Sequence, residues 1–361
     1  MKKLILLTLL LQLLIVKAQP NGVDIAYGST ASQKLDYTTA TNPNSPIMII
    51  VHGGGWAAGD KAGFINVANF FKNNGYAVVN INYRLSGDPG YPGHPAIPQD
   101  VACAIAWTKL NANLINGDSS KVIMYGHSAG AHLCMLHGLA RQQGLLSGCG
   151  YNAGLKVSGI IAANPALNFE YINPARYADI KPMVVDSINY WDDAAPAHNL
   201  SNGNKTKFMI IAGQSDGFLG TQQSLVFNDS MSTYDYCKRF YFLPGTHTSF
   251  LNVSEPIFND MLAFADSLWN GQLCPSAIGI SENKKNNQIL ELYPNPAHAK
   301  IKIKGVDTNS AFEVIVLDIL GKIQLRSSSE AEFDLTGLPS GLYFLNVKQG
   351  DADMYSKFIK E

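Results

Sequence analysis

Short apolar runs alternate with longer mixed stretches over the larger, N-terminal part of the chain. The runs are apolar at nearly every position, which is typical of parallel strands buried on both faces of a sheet. Repeated alternation with helix-length stretches predicts a doubly wound, mostly parallel α/β sheet. The predicted strands cover residues 46–51, 77–83, 121–125, 157–163, 208–212 and 239–243, and the predicted helices cover residues 64–74, 97–111, 128–143, 225–236 and 255–269.

The pattern changes after Cys274. Residues 276–290 are polar and predict a linker, after which short runs rich in β-branched and aromatic residues are separated by turn residues. This spacing predicts a small all-β sandwich over residues 291–361. Its strand candidates are residues 301–304, 312–317 and 341–347.

The N-terminus has the order of a secretory signal. Lys2 and Lys3 precede an apolar run over residues 4–16, and Ala18 supplies a small residue for cleavage. The run is shorter than the ~20 residues of a membrane-spanning helix, so cleavage is expected rather than the alternative, a membrane anchor. The expected organisation is a signal peptide (1–18), a catalytic domain (19–275), a linker (276–290) and a C-terminal β-sandwich (291–361).

Composition and charge narrow the function. Of 361 residues, 46% are hydrophobic and 15% charged, and the formal net charge is −1. Such a chain offers no basic surface to nucleic acid, which is therefore excluded as a partner, and no later segment is long and apolar enough to span a bilayer. The five cysteines allow disulfides in an oxidising compartment. Because Cys237 precedes the last core strand and Cys274 follows the helix that returns antiparallel to it, a Cys237–Cys274 bridge is predicted.

The strongest chemical signal is Gly126-His127-Ser128-Ala129-Gly130, which lies between a predicted strand and a predicted helix. A G-x-S-x-G sequence in this context is typical of a nucleophile elbow, where glycines allow a turn too tight for neighbouring Cβ atoms. The turn exposes the serine hydroxyl at a helix N-terminus, where N–H groups favour negative charge. Ser128 is therefore the candidate nucleophile.

A second glycine-rich segment, residues 52–56, follows the predicted strand that ends at Val51. Its backbone can direct N–H groups at the oxyanion of a tetrahedral intermediate. The candidate oxyanion-hole donors are the N–H groups of Gly54, Gly55 and Ala129. Two neighbouring aromatic side chains, Trp56 and His127, are candidates for the substrate pocket, with packing as the alternative role.

A serine hydroxyl needs a base, and the base needs an orienting acid. In this fold the chain order is serine, acid, histidine. Asp216 and His247 each follow a predicted strand at the carboxyl edge of the sheet, where Ser128 also lies. They are the candidate acid and base. The alternatives are His198 as the base and Asp192 or Asp193 as the acid.

Together these motifs resemble the hormone-sensitive-lipase-like and feruloyl-esterase-like carboxylesterases of the α/β-hydrolase superfamily. The resemblance covers roughly residues 45–270 and depends on residues 52–56, 82–84, 126–131, 216–217 and His247. It implies the α/β-hydrolase fold and two-step ester hydrolysis without cofactor or metal. The longer run through His132 is also similar to the formamidase-type branch. Residues 165–205 depart from the family pattern because they predict only a short cap.

The C-terminal module resembles the type IX secretion sorting domain of the Bacteroidetes. The resemblance depends on residues 292–296, 316–321 and 338–343. It implies transport to the cell surface or medium through the periplasm, with the type IX secretion machinery as a partner. The alternative is a carbohydrate-binding or adhesion module.

The expected function is hydrolysis of carboxylic esters, either small molecules or esters linked to polysaccharides. Export suits polymer breakdown, which favours acyl or feruloyl esters on plant polysaccharides. Two alternatives stay open: an amidase or formamidase that uses the same residues, and a non-catalytic surface-binding protein.

Overall fold

The computed structural model describes residues 21–139, 154–169, 172, 194–201, 206–234, 236–269, 290–318, 323–350 and 352–361. The larger sheet has eight strands in the order β1-β2-β4-β3-β5-β6-β7-β8. These strands are β1 (Gly22–Ala26), β2 (Lys34–Thr38), β3 (Ser45–Val51), β4 (Ala77–Ile81), β5 (Gly117–His127), β6 (Gly159–Ala163), β7 (Lys207–Gly213) and β8 (Lys238–Leu243). The helices described with it are α1 (Ile65–Asn73), α2 (Ala96–Leu110), α3 (Ala129–Leu139), α4 (Gln222–Thr233) and α5 (Ile257–Ser267).

Strands β3 to β8 are parallel, and apolar side chains on both of their faces are buried. Ile47 and Ile49 of β3 face a core shared with α2, α3 and α4, whereas Met48 and Ile50 face a second core shared with α1 and α5. Helices therefore cover both faces of the sheet. The six strands predicted from apolar runs and the doubly wound α/β fold are confirmed.

The first two strands were not predicted. They extend the sheet antiparallel, with β1 on β2 and β2 on β4. In β2 only Leu35 and Tyr37 are buried, so polar residues occupy the alternate positions. A short strand with this alternation lacks the continuous apolar run that marks a central parallel strand.

The C-terminal part forms two antiparallel sheets, with strand orders β13-β10-β9 and β12-β11-β14-β15. Buried side chains of both sheets, among them Ile301, Val314 and Leu345, form one shared core. The predicted all-β sandwich is confirmed. Its strands are β9 (Glu291–Tyr293), β10 (Lys300–Lys304), β11 (Glu313–Asp318), β12 (Ile323–Ser328), β13 (Glu332–Asp334), β14 (Gly341–Gln349) and β15 (Ala352–Lys360).

None of the helices in the described ranges is both long and apolar enough to cross a bilayer. The predicted signal peptide and linker, and most of the predicted cap, lie outside the described residues. Those predictions, and the domain boundaries drawn with them, remain predictions.

The cysteines within the described residues fall into two classes. Cys103 and Cys237 are disulfide-bonded, whereas Cys134 on α3 is free and buried. Cys103 lies on α2 against β5, and Cys237 precedes β8, three strands away in the sheet. At ~4.8 Å per strand, three strand spacings exceed the ~7 Å between Cα atoms that one disulfide can bridge. Each therefore needs another partner, and Cys149 and Cys274 lie outside the described residues, so the Cys237–Cys274 pairing stays a prediction.

We expect titration of the unreduced, denatured protein with a thiol reagent to find one thiol per chain, because Cys103 and Cys237 each require one of the remaining cysteines as a partner, whereas Cys134 is free. The native protein should not react, since burial raises the pKa of Cys134 and disfavours the reactive thiolate. Cys134→Ser should remove the signal from the denatured protein. Three or more thiols would contradict the assignment.

Candidate active site

Ser128 lies in the turn between β5 and α3 with φ of 54°, in the left-handed region. The glycines on either side are required by space. A Cβ atom on Gly130 would lie 2.1 Å from the carbonyl oxygen of Val51, and one on Gly126 would lie 2.4 Å from the backbone of Gly130. The turn thus has the strained, tightly packed backbone of a nucleophile elbow.

Ser128, His247 and Asp216 form a continuous hydrogen-bonded chain. Ser128 Oγ lies 2.8 Å from His247 Nε2, and His247 Nδ1 lies 2.8 Å from Asp216 Oδ2. A carboxylate can only accept, so Nδ1–H donates to Asp216 and Nε2 is left to accept from the serine hydroxyl. The three side chains come from loops after three different strands, all at the carboxyl edge of the sheet. Topology and hydrogen bonding therefore place the predicted base between the predicted nucleophile and acid.

The carboxylate of Asp216 is fixed by its own loop. Its Oδ1 accepts hydrogen bonds from the N–H groups of Phe218 and Leu219, both at 3.0 Å, which leaves Oδ2 for His247. The ring of Phe218 stacks on the imidazole of His247 at 4.7 Å between centroids and 18° between planes. The imidazole is thus held at one edge by the acid and on one face by an aromatic ring.

The loop that carries His247 is held from the elbow and from β6. Nε2–H of His127 donates to the carbonyl oxygen of His247 at 2.8 Å, and Nδ2 of Asn164 donates to the same oxygen at 2.9 Å. Sequence reasoning missed Asn164 and Phe218. The sequence did carry a signal for Asn164, since it is a polar residue directly after a predicted strand. Asp216 also follows a predicted strand, a few residues further along the chain.

The glycine-rich loop lies against the nucleophile. A Cβ atom on Gly53 would lie 2.8 Å from the carbonyl oxygen of His127 and 3.3 Å from Cβ of Ser128. Gly54 has φ of 125° and Gly55 has φ of 59°, conformations that favour glycine. Within the described residues, the backbone N–H groups of Gly54, Gly55 and Ala129 have no hydrogen-bond acceptor. They are free for an oxyanion, and their role stays a prediction.

Trp56 is buried beside α3. Its indole N–H donates to Nδ1 of His132 at 3.2 Å, and Nε2–H of His132 donates to the carbonyl oxygen of Ala194 at 2.7 Å. Phe169 packs against both rings. These contacts tie the glycine-rich loop to α3 and give Trp56 a packing role. The pocket roles predicted for Trp56 and His127 are not tested by these contacts.

Of the alternative site residues, only His198 lies within the described ranges. His198 is exposed in the short 3-10 helix Pro196–Asn199 and is not part of the chain of hydrogen bonds at Ser128. Asp192 and Asp193 lie outside the described residues. In the described ranges, no group of three or more His, Cys, Asp and Glu side chains is placed to hold a metal ion.

Three of the four buried histidines in the described residues have pKa values low enough to give the protein a characteristic response to acid. Burial lowers the pKa of His127 to about 4, of His132 to about 3 and of His137 to about 4. Below the ordinary histidine pKa of about 6.5, the unfolded chain binds protons that the folded protein excludes. Folding is therefore stabilised fully above pH ~6.5, and this stabilisation is lost as the pH falls toward 4.

Below pH ~6.5 we expect the slope of the free energy of unfolding to approach about 1.4 kcal/mol per pH unit for each of these histidines, or about 4 kcal/mol per unit together. Over two units this is comparable with the whole stability of an ordinary domain. Urea unfolding at pH 7, 6 and 5, followed by circular dichroism, measures the slope. Replacing His137 with glutamine should make the slope shallower, whereas replacing exposed His298 should not. A flat profile from pH 7 to 5 would contradict the prediction.

Two family models match the chain. The model described as BD-FAE matches residues 35–231, and the model described as Secretion system C-terminal sorting domain matches residues 291–361. Among curated proteins, Esterase LipC of Mycobacterium tuberculosis is 26% identical over 243 residues, which is 63% of this chain and 59% of that protein. The chain therefore spans less than two thirds of that relative.

Solved structures share the fold of the larger sheet. A truncated form of a carbohydrate esterase from gut microbiota matches with a TM-score of 0.61 at 21% identity, covering 70% of this chain and 98% of that one. Esterase 2 of Thermogutta terrifontis with bound butyrate matches with a TM-score of 0.57 at 17% identity, covering 72% and 96%. At these identities the likeness concerns the fold alone.

Proposed function

This chain belongs to the BD-FAE family, whose fold is that of the α/β-hydrolases, and we propose that it is a secreted serine carboxylesterase. Its proposed catalytic triad is Ser128, Asp216 and His247. The observation that carries the proposal is the pair of 2.8 Å hydrogen bonds that link these three side chains. The C-terminal sorting domain directs the protein to the cell surface or the extracellular space by type IX secretion. It makes the secretion machinery a proposed partner.

In the first step, Ser128 Oγ attacks the ester carbonyl carbon while Nε2 of His247 removes the hydroxyl proton. The carbonyl π electrons move to oxygen, and the N–H groups of Gly54, Gly55 and Ala129 stabilise the oxyanion. Asp216 stabilises the imidazolium that forms. When the C–O bond to the leaving alcohol breaks, His247 returns the proton to that alcohol, which leaves an acyl group on Ser128.

In the second step, water attacks the acyl carbon and gives its proton to His247. Collapse of the tetrahedral intermediate releases the carboxylic acid, and the proton returns to Ser128 Oγ. Each turnover consumes one ester and one water and releases one acid and one alcohol. The triad returns to its starting protonation state, so this chemistry needs no redox change.

For the substrate, we propose acyl or feruloyl esters on plant polysaccharides. Two facts support this class: the protein is exported, and a carbohydrate esterase shares its fold. The test compares hydrolysis of p-nitrophenyl acetate, butyrate and octanoate, methyl ferulate and acetylated xylan. Turnover of acetylated xylan or methyl ferulate supports the class, and turnover of aryl esters alone contradicts it.

An amide or formamide substrate is tested in parallel with p-nitroacetanilide and an N-formyl arylamine. We expect ester cleavage to exceed amide cleavage greatly, since an alcohol leaves more readily than an amine. Faster amide than ester turnover would replace the esterase proposal with the amidase reading. Absence of turnover on every substrate, together with no labelling by a serine-directed phosphonate, would favour a binding protein.

A further inference from the structure

Asn164 lies at the carboxyl edge of the sheet. It directly follows β6, between β5, which leads to Ser128, and β7, which leads to Asp216. Its side chain is 2% exposed, and its φ of 46° lies in the left-handed region, which asparagine tolerates better than most residues. A buried polar side chain at this position must find hydrogen-bond partners, and those partners define what it can do.

Both ends of the amide are used, and they bond to different loops. Oδ1 accepts from the N–H of Gly213, at the start of the loop that carries Asp216, at 2.8 Å. Nδ2 donates to the carbonyl oxygen of His247 at 2.9 Å. It also lies 3.2 Å and 3.3 Å from the carbonyl oxygens of Thr246 and Ser249. The side chain of Asn164 is therefore hydrogen-bonded to both the loop of the proposed acid and the loop of the proposed base.

The two loops are already in close backbone contact. The N–H of Ser215 donates to the carbonyl oxygen of Gly245 at 2.8 Å, and a Cβ atom on Gly213 would lie 2.6 Å from the same oxygen. Asn164 adds a side-chain link between the same two loops. Together with the hydrogen bond from His127, it gives the carbonyl oxygen of His247 two donors, one from the end of β5 and one from the end of β6.

Only an amide of this length fits these partners. A carboxylate of the same shape can accept from Gly213 but cannot donate, and it would place negative charge against three carbonyl oxygens. An alanine side chain reaches neither loop. The contacts therefore require a side chain that accepts from one loop and donates to the other.

We propose that Asn164 is a positioning residue that fixes the imidazole of His247 relative to Ser128 and Asp216, and thereby sets the rate of acyl transfer. The inference rests on the proposed triad. Asn164 does not touch the reacting atoms, so its contribution is geometric. A displacement of a reacting group by about 1 Å can cost about a hundredfold in rate.

The test measures kcat and KM of Asn164→Ala and Asn164→Asp on p-nitrophenyl acetate. We expect kcat to fall by about a hundredfold with little change in KM, because the base is misplaced while the substrate pocket is intact. The low-field proton resonance of His247 Nδ1–H should shift or broaden in both variants. A role confined to stability would leave kcat per folded molecule and this resonance unchanged.

Asn80 supplies a matched control. It is similarly buried, at 3% exposure, and its Nδ2 donates to the carbonyl oxygen of Lys61, away from the triad loops. Asn80→Ala should lower the melting temperature but keep kcat. If Asn164→Asp does not fold, Asn164→Ser, which is smaller and uncharged, takes its place.

The outcomes separate this inference from the proposed function. Near wild-type kcat in folded Asn164→Ala, with an inactive Ser128→Ala, would overturn the positioning role and leave the triad intact. Full activity in Ser128→Ala would overturn the proposed function itself. A similar loss of kcat in Asn80→Ala and Asn164→Ala would also overturn the positioning role, since the effect would then follow from burial alone.

Discussion

Replacing Ser128 with alanine will lower kcat/KM on p-nitrophenyl acetate by at least a thousandfold. The substitution removes the hydroxyl proposed to form the acyl-enzyme, while the proposed oxyanion donors stay in place and supply the residual rate. The fold should survive. The backbone N–H of Ser128 still donates to the carbonyl oxygen of Ala163, and alanine replaces serine at the same strained φ without added bulk.

The matched control is Ser45→Ala. Ser45 is buried to a similar degree and donates its hydroxyl to the carbonyl oxygen of Asn42, at the amino end of β3 and far from the triad. It should retain wild-type kcat/KM. A fluorophosphonate should label the wild-type protein and the Ser45→Ala variant on the peptide that contains Ser128, and should leave Ser128→Ala unlabelled. Rates within tenfold of wild type in Ser128→Ala would require another nucleophile.

The meeting of the candidate residues at one edge of the sheet could be predicted because they follow strand ends. A glycine-rich elbow, a glycine-rich loop, and an aspartate and a histidine after later strands are local patterns. Parallel topology brings all of them to one edge of the sheet. The 2.8 Å contacts among Ser128, His247 and Asp216 are the geometric result of that topology.

Residues that belong to no recognisable motif were harder to predict. Asn164 bonds to residues 49 to 85 positions away, and Trp56 bonds to His132 across 76 positions. No local pattern encodes these pairs, because they depend on the packing of one loop on another. Strands β1 and β2 were missed for a related reason: their alternating polarity gains meaning only from the neighbouring strand β4.

Replacing Asp216 with asparagine will lower kcat by about ten-thousandfold while the protein stays folded. The structure gives a specific reason. Oδ1 of Asp216 accepts from two backbone N–H groups, those of Phe218 and Leu219. In the variant these donors hold the amide oxygen at the Oδ1 position, so the amide nitrogen faces His247. Nδ1 must then accept, the proton moves to Nε2, and the base can no longer take a proton from Ser128.

Steady-state assays measure the loss of kcat, and the low-field proton spectrum tests the change of tautomer. The Nδ1–H resonance of His247 should disappear along with the activity. The control is Asp118→Asn, at the opposite end of β5, where the carboxylate accepts from Ser120 and pairs with Lys121. It should keep both the resonance and kcat. A second variant, Asp216→Ala, separates a wrong tautomer from a simple loss of charge. In this variant water takes the place of the carboxylate and can accept from Nδ1–H. We therefore expect Asp216→Ala to lose less activity than Asp216→Asn. Activity of Asp216→Asn within tenfold of wild type would instead assign the acid to Asp192 or Asp193.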